Sequence, residues 1–151
     1  MPWPKLCCVV GASALAALPG CHAARPGEPV STPAPQTRSL GPGGIRRTLI
    51  DRRPATDLDG WETRLYLIEY APGAAAPPHA HPAVGVGLVL DGQFESAFGD
   101  APLSRVRAGQ GFIDQAAVPH RVFRNPSADR DLRFVIAYTL RAGDEPFHLL
   151  P

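Results

Sequence analysis

Two histidines that stand two residues apart, His79 and His81, are well suited by type and spacing to bind a metal ion. In an extended strand, residues i and i+2 point to the same face about 6.5–7 Å apart, so both imidazoles can contact one ion. A third histidine, His120, lies on another predicted strand and joins them if the sheet closes into a barrel. Neutral imidazole suits iron, zinc, nickel, copper and, less strongly, manganese. By itself this spacing is weak evidence for a metal site, because an isolated His-x-His pattern is common in proteins that bind no metal.

The sequence predicts that the secondary-structure elements that position these histidines are short strands. Segments rich in β-forming residues alternate with turn pairs such as Pro72-Gly73 and Asp91-Gly92. With 18 Pro and 15 Gly in 151 residues, a helical protein is disfavoured. The sequence predicts an all-β fold, a single antiparallel β-barrel or jelly roll, in which the apolar stretch 134–137 is buried on both faces. The predicted strands are 45–51, 63–70, 84–90, 93–98, 102–107, 111–115, 120–124 and 132–140.

Composition excludes several classes of function. A net charge of +1 with only 19% charged residues argues against nucleic-acid binding, which requires basic residues gathered on one face. Aromatic residues, at 7%, are too sparse for a platform that stacks single-stranded bases. The three cysteines, Cys7, Cys8 and Cys21, all lie near the N-terminus. The domain that follows is therefore expected to have no disulfide, no thiol nucleophile and no cysteine metal ligand.

Residues 1–21 have the pattern of an export signal. An uncharged apolar run over residues 6–18 follows Lys5 and is shorter than the roughly 20 residues that span a bilayer. It ends in Leu-Pro-Gly-Cys, which resembles a bacterial lipobox and predicts lipidation of Cys21. The alternative is ordinary signal cleavage at the alanines 23 and 24. The expected location is the periplasmic side, with membrane contact through a lipid anchor only.

Two further segments follow the export signal. Residues 22–44 are rich in Pro and Gly without a hydrophobic period, which predicts a disordered tether. Residues 45–151 contain all eight predicted strands and form the folded domain.

The spacing around the histidines resembles both motifs of the cupin superfamily. Gly73 is followed by five residues, then His79-Ala80-His81, and an apolar run ends at Gly92 where the first motif has its last glycine. Gly109 lies eleven residues before His120, with Asn125 shortly after it, as in the second motif. The match covers roughly residues 60–140. The resemblance implies a cupin β-barrel, or double-stranded β-helix, with a metal site.

One departure from the motif bears on the chemistry. The family's motif has a glutamate where this chain has Gly85. Without that carboxylate, the expected ligands are His79, His81 and His120 alone. Such a neutral set resembles the three-histidine sites of some cupin dioxygenases, which leave positions open for water, oxygen or a chelating anion.

Two acidic residues are weaker candidates for a catalytic role. Asp114 lies on the strand before His120, and Glu95 follows the hairpin turn at Gly92. Either could face the cavity and act as an acid or base, although a residue such as Asp114 more often lies at a strand end in solvent. His148 lies beyond both motifs and is expected to be exposed.

Two functions remain open at this point. One is a metal-dependent enzyme, a dioxygenase or isomerase of a small chelating substrate, that uses iron, manganese, nickel or zinc. The other is a non-catalytic ligand-binding or structural module with a decayed metal site. The expected partners are a small-molecule ligand or substrate and a second copy of the chain in a homodimer.

Overall fold

The computed structural model describes residues 36–39 and 43–151 of the chain. Within these ranges the structure consists of strands and turns, with no helix long and apolar enough to cross a membrane. The predicted signal segment, including Cys21, lies outside the described residues. The strands are β1 (Gln36–Ser39), β2 (Ile45–Pro54), β3 (Trp61–Tyr70), β4 (His79–Ala80), β5 (Gly85–Asp91), β6 (Gln93–Phe98), β7 (Ser104–Arg107), β8 (Gly111–Asp114), β9 (His120–Arg124), β10 (Leu132–Arg141) and β11 (His148–Leu149).

The strands form two antiparallel sheets. The first has six strands in the order β1-β2-β3-β10-β5-β8, and the second has five in the order β11-β4-β9-β6-β7. Sequence neighbours such as β5 and β6 lie in different sheets, so the chain crosses from one sheet to the other repeatedly. This is a jelly roll, and the prediction of an all-β fold is confirmed.

Each of the eight predicted segments overlaps a strand of the structure. The two-residue strands β4 and β11 were not predicted. Strand β1 lies within the segment expected to be a tether and pairs with β2, so these four residues differ from the expectation of irregular chain. Without β1, strand β2 would be the edge of the first sheet and would expose unpaired backbone groups, which accounts for the added strand.

The core lies between the sheets and is rich in aromatic side chains. Phe94 of β6 stacks on Phe123 of β9, with ring centroids 4.5 Å apart, and Phe123 lies 5.5 Å from Phe134 of β10. Along β10 the even-numbered residues are buried, whereas Val135 and Ala137 are only partly buried. The expectation that the stretch 134–137 is buried on both faces is therefore wrong, because the outer face of the first sheet has only partial cover.

Strand β5 has glycine at two inward positions because neighbouring rings occupy the space. A Cβ on Gly85 would lie 2.4 Å from Cε1 of Tyr138, and a Cβ on Gly87 would lie 2.3 Å from Cζ of Phe112. Contacts this short are forbidden between carbon atoms. At these two glycines the inward face of β5 is bare backbone under aromatic rings, while outward residues such as Val86 and Leu88 are branched and exposed.

A buried amide joins the end of β9 to the end of β3. Asn125 is 1% exposed, and its Nδ2 donates to the carbonyl oxygens of Arg130 at 2.7 Å and Ala71 at 3.1 Å. Its Oδ1 accepts a hydrogen bond of 3.1 Å from the backbone of Ser127. These bonds satisfy backbone groups that the turn would otherwise bury without partners. The asparagine of the second motif therefore fixes a turn here.

Candidate metal centre

The structure brings His79, His81 and His120 together between the sheets. His79 of β4 pairs directly with His120 of β9, and His81 follows two residues later on the same face. All three side chains are buried, and one ring nitrogen from each lies within 4.8 Å of the others. The ring centroid of His79 is 4.9 Å from that of each of the other two.

Backbone carbonyls orient two of the rings. Nδ1 of His79 lies 2.9 Å from the oxygen of Pro77, and Nδ1 of His81 lies 2.9 Å from the oxygen of Pro146. A carbonyl oxygen only accepts, so in both rings Nδ1 carries the proton and donates it. Nε2 of each ring therefore keeps a free lone pair. This is the usual arrangement of histidines that bind metal ions, whose second nitrogen is held by a backbone or carboxylate oxygen.

His120 is held by different neighbours. Its Nε2 shares a hydrogen bond of 2.7 Å with Oγ of Ser96, and its ring stacks on Phe98 with centroids 3.8 Å apart. Its Nδ1 is buried without a hydrogen-bond partner, as is Nε2 of His81. Buried nitrogen atoms without partners are costly in a protein interior, and a cation bound by them would remove that cost.

The electrostatics keep all three rings neutral. Burial lowers the pKa of His79 and of His81 below the ordinary value, and lowers the pKa of His120 to about 3. The neighbouring rings add to the shift for His120, because two imidazolium ions cannot share this space. Neutral imidazole is the form that binds a metal ion, so burial favours the binding form of all three rings.

Asp114, one of the two acidic candidates from the sequence, lies inside the barrel. It is 5% exposed, and its Oδ2 is 3.4 Å from Nε2 of His81. The hydroxyl of Tyr138 donates a hydrogen bond of 2.6 Å to the same oxygen. Burial raises the pKa of the Asp114 carboxyl above its ordinary value, and burial together with this carboxylate raises the pKa of Tyr138. The absence of the motif glutamate at position 85 suggested a site without a carboxylate, but Asp114 places one beside His81.

Glu95 lies on the opposite face of its strand. Alternation along β6 points Phe94 and Ser96 inward and Glu95 outward, where its carboxylate contacts the guanidinium groups of Arg105 and Arg124. Hydrogen bonds from these two arginines, first from Arg105, hold the pKa of Glu95 below its ordinary value. Glu95 is therefore remote from the histidines and does not serve them as an acid or base.

Two cavities that share lining residues border the histidines. The inner one, of about 30 Å³, is about the volume that one water molecule takes in the liquid. The outer one, of about 470 Å³, is within the range of small-molecule sites. Both are lined by Arg47, Tyr70 and His79. His148 is exposed, as expected, and lines the outer cavity.

Arg47 and Tyr138 were not singled out from the sequence as site residues. The guanidinium of Arg47 lies 4.2 Å from the ring centroid of Phe147 at the wall of the outer cavity, and burial lowers its pKa. Alternation along β2 and β10 identifies both as inward-facing, but only the closed barrel shows that they reach the histidines.

Comparison with known proteins gives related sequences and folds. The family model for the cupin domain matches residues 66–138. Germin-like protein 3-1 of Oryza sativa subsp. japonica is 33% identical over 93 residues, which cover 56% of this chain and 40% of that protein. This chain therefore spans less than half of the length of that relative.

Solved structures share the same jelly roll. An RmlC-like cupin from Shewanella frigidimarina NCIMB 400 superposes with a TM-score of 0.57 at 20% identity, covering 74% of this chain and 88% of the other. Oxalate decarboxylase from Bacillus subtilis gives a TM-score of 0.60 at 14% identity, covering 78% of this chain and 30% of the other. At these identities the likeness establishes the fold.

Proposed function

Residues 66–138 form a cupin domain, and from this we propose that His79, His81 and His120 bind one divalent metal ion that serves a small chelating substrate in the outer cavity. The observation that carries the proposal is the set of buried, neutral imidazoles, two of whose nitrogens lack partners. Iron, manganese, nickel and zinc all fit a donor set of imidazole nitrogen. A bound ion would supply Lewis-acid or oxygen chemistry at this point.

The chain's own residues define the class of substrate. The outer cavity is lined by apolar groups such as Ile45, Phe147 and Leu149, and by the cation of Arg47. A guanidinium stays charged in proteins and matches the geometry of a carboxylate. The substrate is therefore a small anion that bears oxygen donors, with oxygenation or isomerisation as the reaction class. A non-catalytic module that captures such a ligand uses the same cavity and is the alternative.

Elemental analysis of the purified full-length chain tests the metal site. The wild type should contain about one divalent ion per chain, and His79→Ala, His81→Ala and His120→Ala should each lose most of it, because a three-ligand site reduced to two binds weakly. His148→Ala is the matched control, since it changes a histidine on the adjacent strand β11 outside the cluster. Wild type without bound metal, or with a metal content equal to that of all three variants, would overturn the proposal.

We also propose that residues 1–21 direct export to the periplasmic side, that Cys21 is lipidated, and that residues 22–44 tether the domain 45–151. The support is the apolar run and the lipobox-like Leu-Pro-Gly-Cys. Fractionation of cells tests the anchor. The wild type should partition with membranes and Cys21→Ala should not mature by the lipoprotein route, whereas a wild type found in the soluble periplasmic fraction would contradict lipidation.

A homodimer is proposed from an apolar stripe on the outer face of β5 and β8. This outer stripe consists of Val84, Val86, Leu88, Leu90 and Ile113. Val86 is 59% exposed and lies opposite Ile113, which is 53% exposed. Strand β8 is an edge of its sheet, so a second copy can place the same stripe against this one about a two-fold axis.

A further inference from the structure

We propose that Asp114, held by Tyr138, supplies a carboxylate ligand to the metal ion from strand β8 and so takes the place of the glutamate that position 85 lacks. The inference rests on the proposed metal function of the three histidines and adds a fourth, anionic donor to them. Three observations carry it: the register of the strands, the space above Gly85, and the atoms that face His81.

The register places three residues side by side across the first sheet. Gly85 of β5 pairs with Asp114 of β8 on one side and with Tyr138 of β10 on the other. Residues directly opposite in antiparallel strands point to the same face, with Cβ atoms about 4.5–5.5 Å apart. Asp114 therefore points to the interior at the same level as position 85, one strand further along the sheet.

The missing side chain at position 85 is what allows this pair to form. The ring of Tyr138 extends over Gly85, where any Cβ would lie 2.4 Å from Cε1 and 2.8 Å from Cζ. The hydroxyl then reaches Oδ2 of Asp114 at 2.6 Å. A glutamate at position 85 and this tyrosine are mutually exclusive. Gly85→Glu is thus expected to disrupt packing and displace Tyr138, not to add a ligand to an intact site.

The atoms between Asp114 and His81 show what the carboxylate faces. Oδ2 lies 3.4 Å from Nε2 of His81, whose proton is on Nδ1, donated to Pro146. Nε2 has no hydrogen-bond partner. A carboxylate oxygen and an unpartnered ring nitrogen thus lie close together in a buried place, where a shared cation would stabilise both. Metal–ligand bonds of about 2.0–2.2 Å place neighbouring ligand atoms about 3 Å apart, close to the observed separation.

Tyr138 acts as a positioning residue in this arrangement. Its hydroxyl donates to Asp114, and its ring stacks on His81 with centroids 5.5 Å apart and planes at 18°. One side chain thus orients both a nitrogen and an oxygen donor. Such support of ligand orientation is typical of metal sites, where its loss costs about 10–100-fold in metal affinity.

The test is the affinity of the full-length chain for Mn²⁺ and Zn²⁺, measured by competition with a chelator. Carboxylate oxygen favours Mn²⁺, whereas imidazole nitrogen favours Zn²⁺. Asp114→Asn should therefore weaken Mn²⁺ binding by about 100-fold or more and Zn²⁺ binding by clearly less. Loss of a ligand should cost more affinity than loss of a residue that only orients a ligand. Tyr138→Phe should weaken Mn²⁺ binding by about tenfold. Glu95→Gln is the matched control, a buried carboxylate outside the site, and should change neither affinity.

The outcomes separate this inference from the function it rests on. If His79→Ala and Asp114→Asn both bind metal like the wild type, the proposed metal function itself fails. If His79→Ala loses metal while Asp114→Asn keeps wild-type affinity for both ions, only the role of Asp114 is overturned. Melting temperatures of the metal-free variants are measured alongside. If Asp114→Asn does not fold, the test is made with Tyr138→Phe. The inference is then overturned if Tyr138→Phe keeps the wild-type preference between Mn²⁺ and Zn²⁺.

Discussion

At the residue scale, Arg47 offers the clearest test of substrate class. Its cation lines both cavities, whereas Arg46, the next residue, pairs with Glu69 in solvent at 3.4 Å. With oxalate as the probe anion, Arg47→Met should weaken binding to the metal-loaded chain by about tenfold or more, since a hydrogen bond to a charged group contributes about 1.5–3 kcal/mol. Arg46→Met should leave the affinity for oxalate, measured by calorimetry, unchanged. Equal affinity in all three proteins would exclude Arg47 from anion binding.

Glu95 should make stability depend on pH. Its folded pKa is depressed below the ordinary 4.5 by Arg105 and Arg124, so its charge stabilises the folded state above pH 4.5. That contribution is lost as pH falls through the folded pKa. Glu95→Gln should therefore melt below the wild type at pH 7, and the gap should close as pH falls below 4.5. A gap that stays constant down to acidic pH would contradict an ionic role.

The three histidines could be predicted from the sequence, whereas Asp114 was one of two acidic candidates between which the sequence could not decide. His79 and His81 share a face through local strand geometry, and motif spacing supplied His120. Asp114 sits at a strand end, where nothing local says whether it faces water or the core. Its inward direction depends on pairing with Gly85 and on Tyr138, 24 residues later. Contacts of this kind exist only in the closed fold.

At the element scale, strand β5 depends on bare backbone at Gly87. A Cβ there would meet Phe112 at 2.3 Å and the backbone oxygen of Val135 at 2.9 Å, and the backbone atom cannot rotate away. Gly87→Ala should lower the free energy of unfolding in urea by about 1–3 kcal/mol, the usual cost of overpacking. Gly111→Ala is the matched control, because its nearest neighbour would be at 3.5 Å. Equal stability of the two variants would contradict the packing described for β5.

The longer strands were predictable because alternating residues mark one buried face. β3 and β10 follow this pattern along their length. The two-residue strands β4 and β11 were not predictable, because such short segments show no alternation of buried and exposed residues. Prolines at positions 77, 78 and 82 also flank β4 and argue against a strand there. Yet β4 carries His79, so the element least visible in the sequence positions a central donor.

At the scale of the whole molecule, the outer stripe should control oligomeric state. The wild type should sediment as a dimer at micromolar concentration, and Val86→Asp should sediment as a monomer, because it places a charge in the buried centre of an isologous contact. Leu58→Asp, at an exposed leucine outside the stripe, should stay dimeric. A monomeric wild type, or a dimer unaffected by Val86→Asp, would contradict the assignment of this face.

The jelly-roll class followed from eight short strands and the motif resemblance, but the order of strands in the two sheets did not. Turn residues in the sequence indicate which consecutive strands can form hairpins. The position of β10 between β3 and β5 depends instead on how side chains fit across the sheet. The cavities arise from that pairing, so their size and lining also lay beyond the sequence.

The central claim is that three histidines hold one metal ion, and X-ray absorption spectroscopy of the metal-loaded full-length chain tests it most directly. The spectrum should show three imidazole ligands together with oxygen donors, and His120→Ala should lose one imidazole from the shell. Metal–nitrogen distances should be about 2.0–2.2 Å. A shell of oxygen atoms alone, or one with the same imidazole count in wild type and His120→Ala, would contradict the account.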